Sequence, residues 1–171
     1  MKSLLLATAL VSFPVLAMAG SHGDKPAPVT VKMTGADGAD HGTVTLTQLE
    51  GVVLLHADLK GVPEGAHGFH IHENGTCSPD FGAAGDHYNP DGNGHGFTED
   101  GPHAGDMANV YAMADGAVKA DVLNPRVSLM EDADGTLFDD NGSAIILHEK
   151  ADSYGSEAGA GGRIACGVIE R

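Results

Sequence analysis

The chain has 171 residues and carries 24 Asp and Glu against 9 Lys and Arg, a formal net charge of −15. That balance excludes nucleic acid as a partner, because neutralising phosphates takes a Lys/Arg surface this chain lacks, and it argues equally against anionic membrane surfaces. An apolar content of 42% is too high for a disordered acidic tail, and the length suits one domain with a single core. Histidine is the odd component: the ten present outnumber Lys and Arg together.

In chain order, Met1-Lys2 is a short basic start and residues 4–17 form an apolar run broken by Thr8, Ser12 and Pro14. Ala17-Met18-Ala19 then has the small–large–small pattern that signal peptidase accepts. The run is shorter than the ~20 apolar residues a membrane span needs. Residues 1–19 therefore read as a cleaved signal peptide and residues 20–171 as one exported domain with no membrane span. Cleavage there would expose Gly20-Ser21-His22, a free amine followed by a third-position histidine, which can wrap Cu(II) in square-planar nitrogens.

After a Pro-bearing lead, residues 29–34 alternate valine with smaller or polar side chains. Residues 43–50 and 52–60 are strand-like and separated only by Gly51, which predicts a tight hairpin. In Gly68-Phe69-His70-Ile71-His72-Glu73, residues two apart share a strand face, so both imidazoles point one way while Phe69 and Ile71 point into the core. Further strand-like runs are predicted at residues 109–113, 117–122, 127–130, 144–148 and 163–169. Ala114-Asp115-Gly116, Asp134-Gly135 and Asn141-Gly142 supply turns between them. No stretch holds a 3.6-residue period, so the reading is all-β, a sandwich or barrel. Residues 74–105 and 150–162 are Gly-rich and too long for ordinary connections, which marks them as functional loops.

The first of those loops holds His87, His95 and His103 at a spacing of eight, with Asp106 three residues after the last, and His148 ends an apolar strand. Folded over the His70/His72 face, such a loop could converge six imidazoles and one carboxylate. That donor set suits copper and zinc, whereas calcium and magnesium prefer oxygen. On spacing alone, solvated loop histidines remain the competing reading.

GFHIHENGTC (residues 68–77), GDHYNP (85–90), HAGD (103–106), HEKAD (148–152) and GAGGRIACGVI (159–169) carry a resemblance to a known family. Together they resemble the copper/zinc superoxide dismutases of the exported bacterial type, over nearly all of the chain beyond residue 19. The resemblance implies an eight-stranded Greek-key β-barrel or sandwich, immunoglobulin-like, with two long functional loops, located in the periplasm. It implies one copper per subunit on His70, His72, His87 and His148, and one zinc on His87, His95, His103 and Asp106. His87 would bridge the metals as an imidazolate, since two cations can hold a doubly deprotonated ring. Asp152 matches the carboxylate that links His70 to His95 and fixes their orientation. Arg163 matches the arginine that guides an anion to copper. Cys77 and Cys166, the only cysteines, match the family's intrachain disulfide, as suits an exported protein.

The activity implied is disproportionation of superoxide to dioxygen and hydrogen peroxide by one-electron cycling of copper, a step zinc cannot perform. His87 and Arg163 are then the catalytic side chains, with Lys150 a further steering candidate. The substrate is an anion, so copper and Arg163 must outweigh the acidic field. The short step from Cys77 to His87 departs from bacterial members and leaves monomer and homodimer both open. The competing class is a non-catalytic copper/zinc-binding or copper-delivery module, which predicts a missing ligand or arginine. A zinc hydrolase is disfavoured because four protein ligands would close its zinc. Of the other histidines, His67 is expected to pack structurally and His41 and His56 to be solvated or half-buried. Met107, Met113 and Met130 are expected in the core.

Overall fold

Alternation of apolar and polar side chains decides which face of each strand turns inward. The computed structural model describes residues 25–171; the expected signal peptide and the Gly20-Ser21-His22 motif lie outside the described residues. In β1 (Val29–Gly35), Val29, Val31 and Met33 are buried while Thr30 and Lys32 face solvent. β2 (Asp40–Leu49) buries Val44 and Leu46, and β3 (Val52–Leu59) buries Val53, Leu55, Ala57 and Leu59. The hairpin between them turns on Glu50-Gly51, with Leu49 opposite Val52, where a tight turn was predicted.

The remaining strands are β4 (Gly65–His67), β5 (Phe69–His72), β6 (Val110–Ala112), β7 (Val118–Asn124), β8 (Ser143–His148) and β9 (Arg163–Ile169). Among the described residues the only helical element is a 3-10 turn, Phe81–Ala84, opened by Asp80, whose side chain accepts the Gly82 N–H. Seven strands form one antiparallel sheet in the order β5-β8-β9-β1-β2-β3-β7, and β4 pairs with β6 in a second. β4 and β5 are one strand interrupted at Gly68, and β6 lies beside β7, so the two sheets curl around one core as a barrel-like sandwich. Counted that way the barrel has the expected eight strands. The connections from β3 to β4 and from β7 to β8 cross between distant strands of the sheet, the Greek-key pattern.

β8 is buried on both faces. Ile145 and Leu147 join the barrel core with Phe69, Ile71, Leu129 and Leu137. Ala144 and Ile146 face the other way, into a small cluster with Ala84 and Cys166 that Cys77 and Phe81 cover. This second cluster seats the first part of loop 74–105 against the barrel.

One predicted strand is absent. Residues 127–130 form only an isolated bridge, Ser128 to Thr136. Val127 and Leu129 are buried as their alternation requires, but no strand lies alongside. The Leu129 N–H donates instead to the Gln48 side chain at 2.8 Å, and Ser128 N–H to the Gly135 carbonyl at 2.8 Å. Met107 is in the core as expected, whereas Met113 and Met130 are exposed, Met113 lying one residue past the end of β6.

Candidate metal centre

β5 is an edge strand of the large sheet, and its free edge is where the long loop returns. Ile71 N–H donates to Gly105 O (3.0 Å), Tyr88 N–H to Ile71 O (2.9 Å), Glu73 N–H to Asp86 O (3.0 Å) and Gly105 N–H to Tyr88 O (2.7 Å). These bonds lay both ends of the loop along β5, pairing His72 with His87 and His70 with Asp106. A side chain at residue 105 would collide with the Ile71 carbonyl, so glycine permits the approach. The Asn124 side chain on β7 ties the same segment down, donating to Ala104 O at 2.8 Å.

Six of the seven histidine and aspartate positions singled out as ligands fall in two clusters, and the seventh, His95, groups with His70 and Asp152 beside them. Ring nitrogens of His70, His72, His87 and His148 lie within 4.8 Å of one another, and donor atoms of His87, His103 and Asp106 form an adjoining cluster at the same spacing. His87 belongs to both. His95 sits between two carboxylates, its Nε2 3.1 Å from Asp152 Oδ2 and 3.6 Å from Asp106 Oδ1, while its Nδ1 donates to Gly155 O at 2.7 Å. With Nδ1–H donated there, Nε2 is the acceptor nitrogen, buried and without a hydrogen-bond partner.

Hydrogen bonds fix which nitrogen each ring presents. His72 Nδ1 donates to Gly85 O (2.9 Å), leaving Nε2 as the acceptor facing the cluster. His70 Nε2 donates to Asp152 Oδ2 (2.7 Å), leaving Nδ1. His70 Nδ1, His72 Nε2, His95 Nε2, His103 Nδ1 and both nitrogens of His148 are buried with no hydrogen-bond partner. Buried polar atoms are normally paired, so a concentration of orphan imidazole nitrogens at one point is the signature of a site built for a cation. Three or four imidazoles, with one carboxylate in the second cluster, fit copper and zinc.

The electrostatics agree. Burial drives the His72 ring down to about 2 and His148 to about 3, with neighbouring imidazoles and Arg163 adding to it. Burial also lowers His70, against the pull of Asp152. Neutral rings are the form a metal needs. Burial alone would raise Asp106, but hydrogen bonds from His87 Nδ1 (2.7 Å) and Gly96 N–H (2.9 Å) hold it well below the ordinary carboxylate range. The same opposition, with His70 and Tyr154 N–H as donors, keeps Asp152 lowered.

Arg163 begins β9 and is partly buried. Its guanidinium donates to Phe81 O at 2.5 Å and to Gly85 O at 2.6 Å, the carbonyl that also accepts from His72. Burial lowers its pKa, opposed by Asp86 and Asp80. Cys77 and Cys166 are disulfide-bonded, with Cα atoms 5.9 Å apart. Lys150 is exposed. His67 is buried, with Nδ1 2.8 Å from His148 O and Nε2 2.7 Å from Pro63 O, while His41 is half-buried and His56 exposed. Asn109 and Tyr154, which contact Asp152, escaped the sequence reading; nothing in composition or spacing distinguishes them from other loop residues.

A curled antiparallel β-barrel with a buried, imidazole-rich double cluster at one sheet edge defines a metalloprotein with two adjacent transition-metal sites. The chain belongs to the copper/zinc superoxide dismutase family: the family model "Copper/zinc superoxide dismutase (SODC)" matches residues 40–169. The chain is 41% identical to Cu-Zn superoxide dismutase 2 of Aquifex aeolicus (strain VF5) over 143 residues, covering 81% of this chain and 84% of that one. It is also 41% identical to the Cu-Zn superoxide dismutase of Caulobacter vibrioides over 148 residues, 82% and 84% of the two chains. Among solved structures, the Cu/Zn superoxide dismutase from Brucella abortus superposes with a TM-score of 0.70 at 30% identity, covering 84% of this chain and all of the other. A superoxide dismutase-like protein from Bacillus subtilis gives 0.78 at 34%, covering 82% and 97%. Among the described residues no helix is long and apolar enough to cross a membrane.

Proposed function

We propose that the chain is an exported superoxide dismutase whose copper is held by His70, His72, His87 and His148 and whose zinc is held by His87, His95, His103 and Asp106. The observation that carries this is the set of orphaned, buried imidazole nitrogens converging beside the lowered Asp106 carboxylate. Copper, when bound, supplies the one-electron cycling that converts superoxide to dioxygen and hydrogen peroxide. His87 has Nδ1 toward Asp106, leaving Nε2 as the atom that can take up a proton and pass it to the product. Asp152 orients His70 and stands beside His95, coupling the two halves of the site. Arg163, fixed by two carbonyls, offers its remaining N–H groups and its charge to the incoming anion. The disulfide holds the segment carrying those carbonyls against β9. Residues 1–19 act as the signal peptide and residues 20–171 as the mature domain in the periplasm.

Superoxide consumption measured alongside metal content tests the assignment, with His148→Ala as control. Activity should follow copper content and collapse in the variant. Full activity in copper-free protein overturns it.

A further inference from the structure

Asp152 can hold one oxygen on His70 and beside His95 only if its other oxygen and its backbone are held by something else. Tyr154 N–H donates to Asp152 Oδ1 at 2.7 Å, which leaves Oδ2 to accept from His70, with His95 Nε2 3.1 Å from the same oxygen. Asn109 brackets the Asp152 backbone: its Nδ2 donates to Asp152 O at 2.9 Å, and its Oδ1 accepts the Asp152 N–H at 2.7 Å. Asn109's own N–H then donates to the Tyr154 hydroxyl at 2.7 Å. The three residues form a closed ring of contacts behind the carboxylate.

Tyr154 also faces the other loop. Its carbonyl accepts the Phe97 N–H at 3.0 Å, its ring lies 5.3 Å from that of Phe97, and the next carbonyl, Gly155 O, receives His95 Nδ1. A residue that presents its N–H to Asp152 and the following carbonyls to loop 74–105 must turn the chain sharply between them. Tyr154 does so with a φ of +61°, the only positive φ at a non-glycine among the described residues. That conformation is unfavourable for any residue with a Cβ and survives where surrounding contacts over-determine it. Opposite it, Gly96 has no side chain to collide with the Tyr154 and Gly155 carbonyls.

We propose that Tyr154 is a positioning residue of the metal centre: its left-handed turn, pinned by the hydroxyl bond from Asn109, aims the Asp152 carboxylate at the pair of imidazoles and locks loop 150–162 to loop 74–105. This rests on the metal-site reading above. The residue touches no metal and acts through Asp152 and His95.

The test is a substitution series read by the zinc affinity of the metal-free protein, in competition with a chromophoric chelator, and by the visible spectrum of the Co(II)-loaded form. Tyr154→Phe removes only the hydroxyl and strands the Asn109 N–H; zinc affinity should fall about 3- to 10-fold. Tyr154→Val resists the left-handed region and should fall by about 10- to 100-fold, the range for losing an outer partner of a ligand. Tyr154→Gly adopts a positive φ freely and should retain more affinity than Val, despite having no side chain. A residue that merely fills space predicts the reverse: Phe at wild-type affinity and Gly the worst. Either of those two results overturns the proposal. A wild-type protein that takes up neither Zn(II) nor Co(II) refutes the metal-site reading itself, a different outcome from a flat variant series.

Discussion

Acidification from pH 7 to pH 5 should weaken the metal-free protein by several kcal/mol, and the site histidines are the cause. Burial first, then neighbouring charges, holds His72 at about 2 and His148 at about 3 in the folded chain, against about 6.5 for an unperturbed histidine. Between those values the unfolded chain binds a proton on each ring that the folded chain refuses. Stability therefore rises with pH from about 3 to about 6.5 and is level above that. Each refused proton is worth about 1.4 kcal/mol per pH unit, so the two rings together remove about 4 kcal/mol by pH 5. That is a large share of the ~5–15 kcal/mol typical of a domain. His70, lowered by burial, acts in the same direction. Asp106 and Asp152 are lowered carboxylates, so their contribution is present above their unfolded pKa of roughly 4 and is lost only below it. Urea unfolding of chelator-treated protein should show the midpoint falling from pH 7 to pH 5 at constant slope. A His72→Gln, His148→Gln double variant should lose most of that pH dependence. A midpoint that stays level over the same range in the metal-free wild type refutes the reasoning.

Three further outcomes follow from the same structure. Arg163→Ala should lower superoxide turnover by about 10-fold and flatten its dependence on ionic strength at unchanged metal content. Arg163→Lys should recover only part, since an ammonium cannot hold both the Phe81 and Gly85 carbonyls; kinetics identical to wild type reject the steering role. Replacing Cys77 and Cys166 by serine opens a loop of 89 residues and should destabilise by up to about 4–5 kcal/mol in thermal or urea unfolding, with turnover falling too because Arg163's carbonyl partners are no longer tethered. Asn124→Ala strands the Ala104 carbonyl in a buried position and should cost about 1–3 kcal/mol in urea unfolding; a neutral substitution would mean loop 74–105 is held by its β5 bonds alone.

What the sequence made legible follows its periodicity. Wherever apolar residues alternate and a neighbouring strand exists, as at Val29, Val31 and Met33 or along β3, the strand forms where the pattern puts it. Residues 127–130 alternate as well, but pattern reports burial and not partnership; Gln48 satisfies the backbone there and no ladder develops. Met113 shows the same gap, since an apolar residue just beyond a strand end can face water. At the site, His70 and His72 were readable from a two-residue spacing on one strand face. The spacing of His87, His95, His103 and Asp106 marked them as candidates to converge on that face, but assigning each to copper or zinc took the family resemblance, because loop 74–105 can close in many ways. Asn109 and Tyr154 act through backbone atoms and through one unusual φ, and neither leaves a mark on composition.

The acidity of the chain bears on all of this. A net charge of −15 surrounds a site that must admit an anion, so attraction has to be local and fixed in place. On the role proposed for it, Arg163 would meet that demand because its guanidinium is held by two carbonyls, one of them shared with His72, instead of swinging free in solvent. Asp86 and Asp80 nearby oppose the effect of burial on its pKa, and their own negative charge tempers its field at longer range. On the proposed role, the arginine supplies a fixed local positive charge whose pull on the anion weakens as salt is added. Placing the positive charge on the strand that also carries Cys166 makes steering depend on the same tether that stabilises the fold.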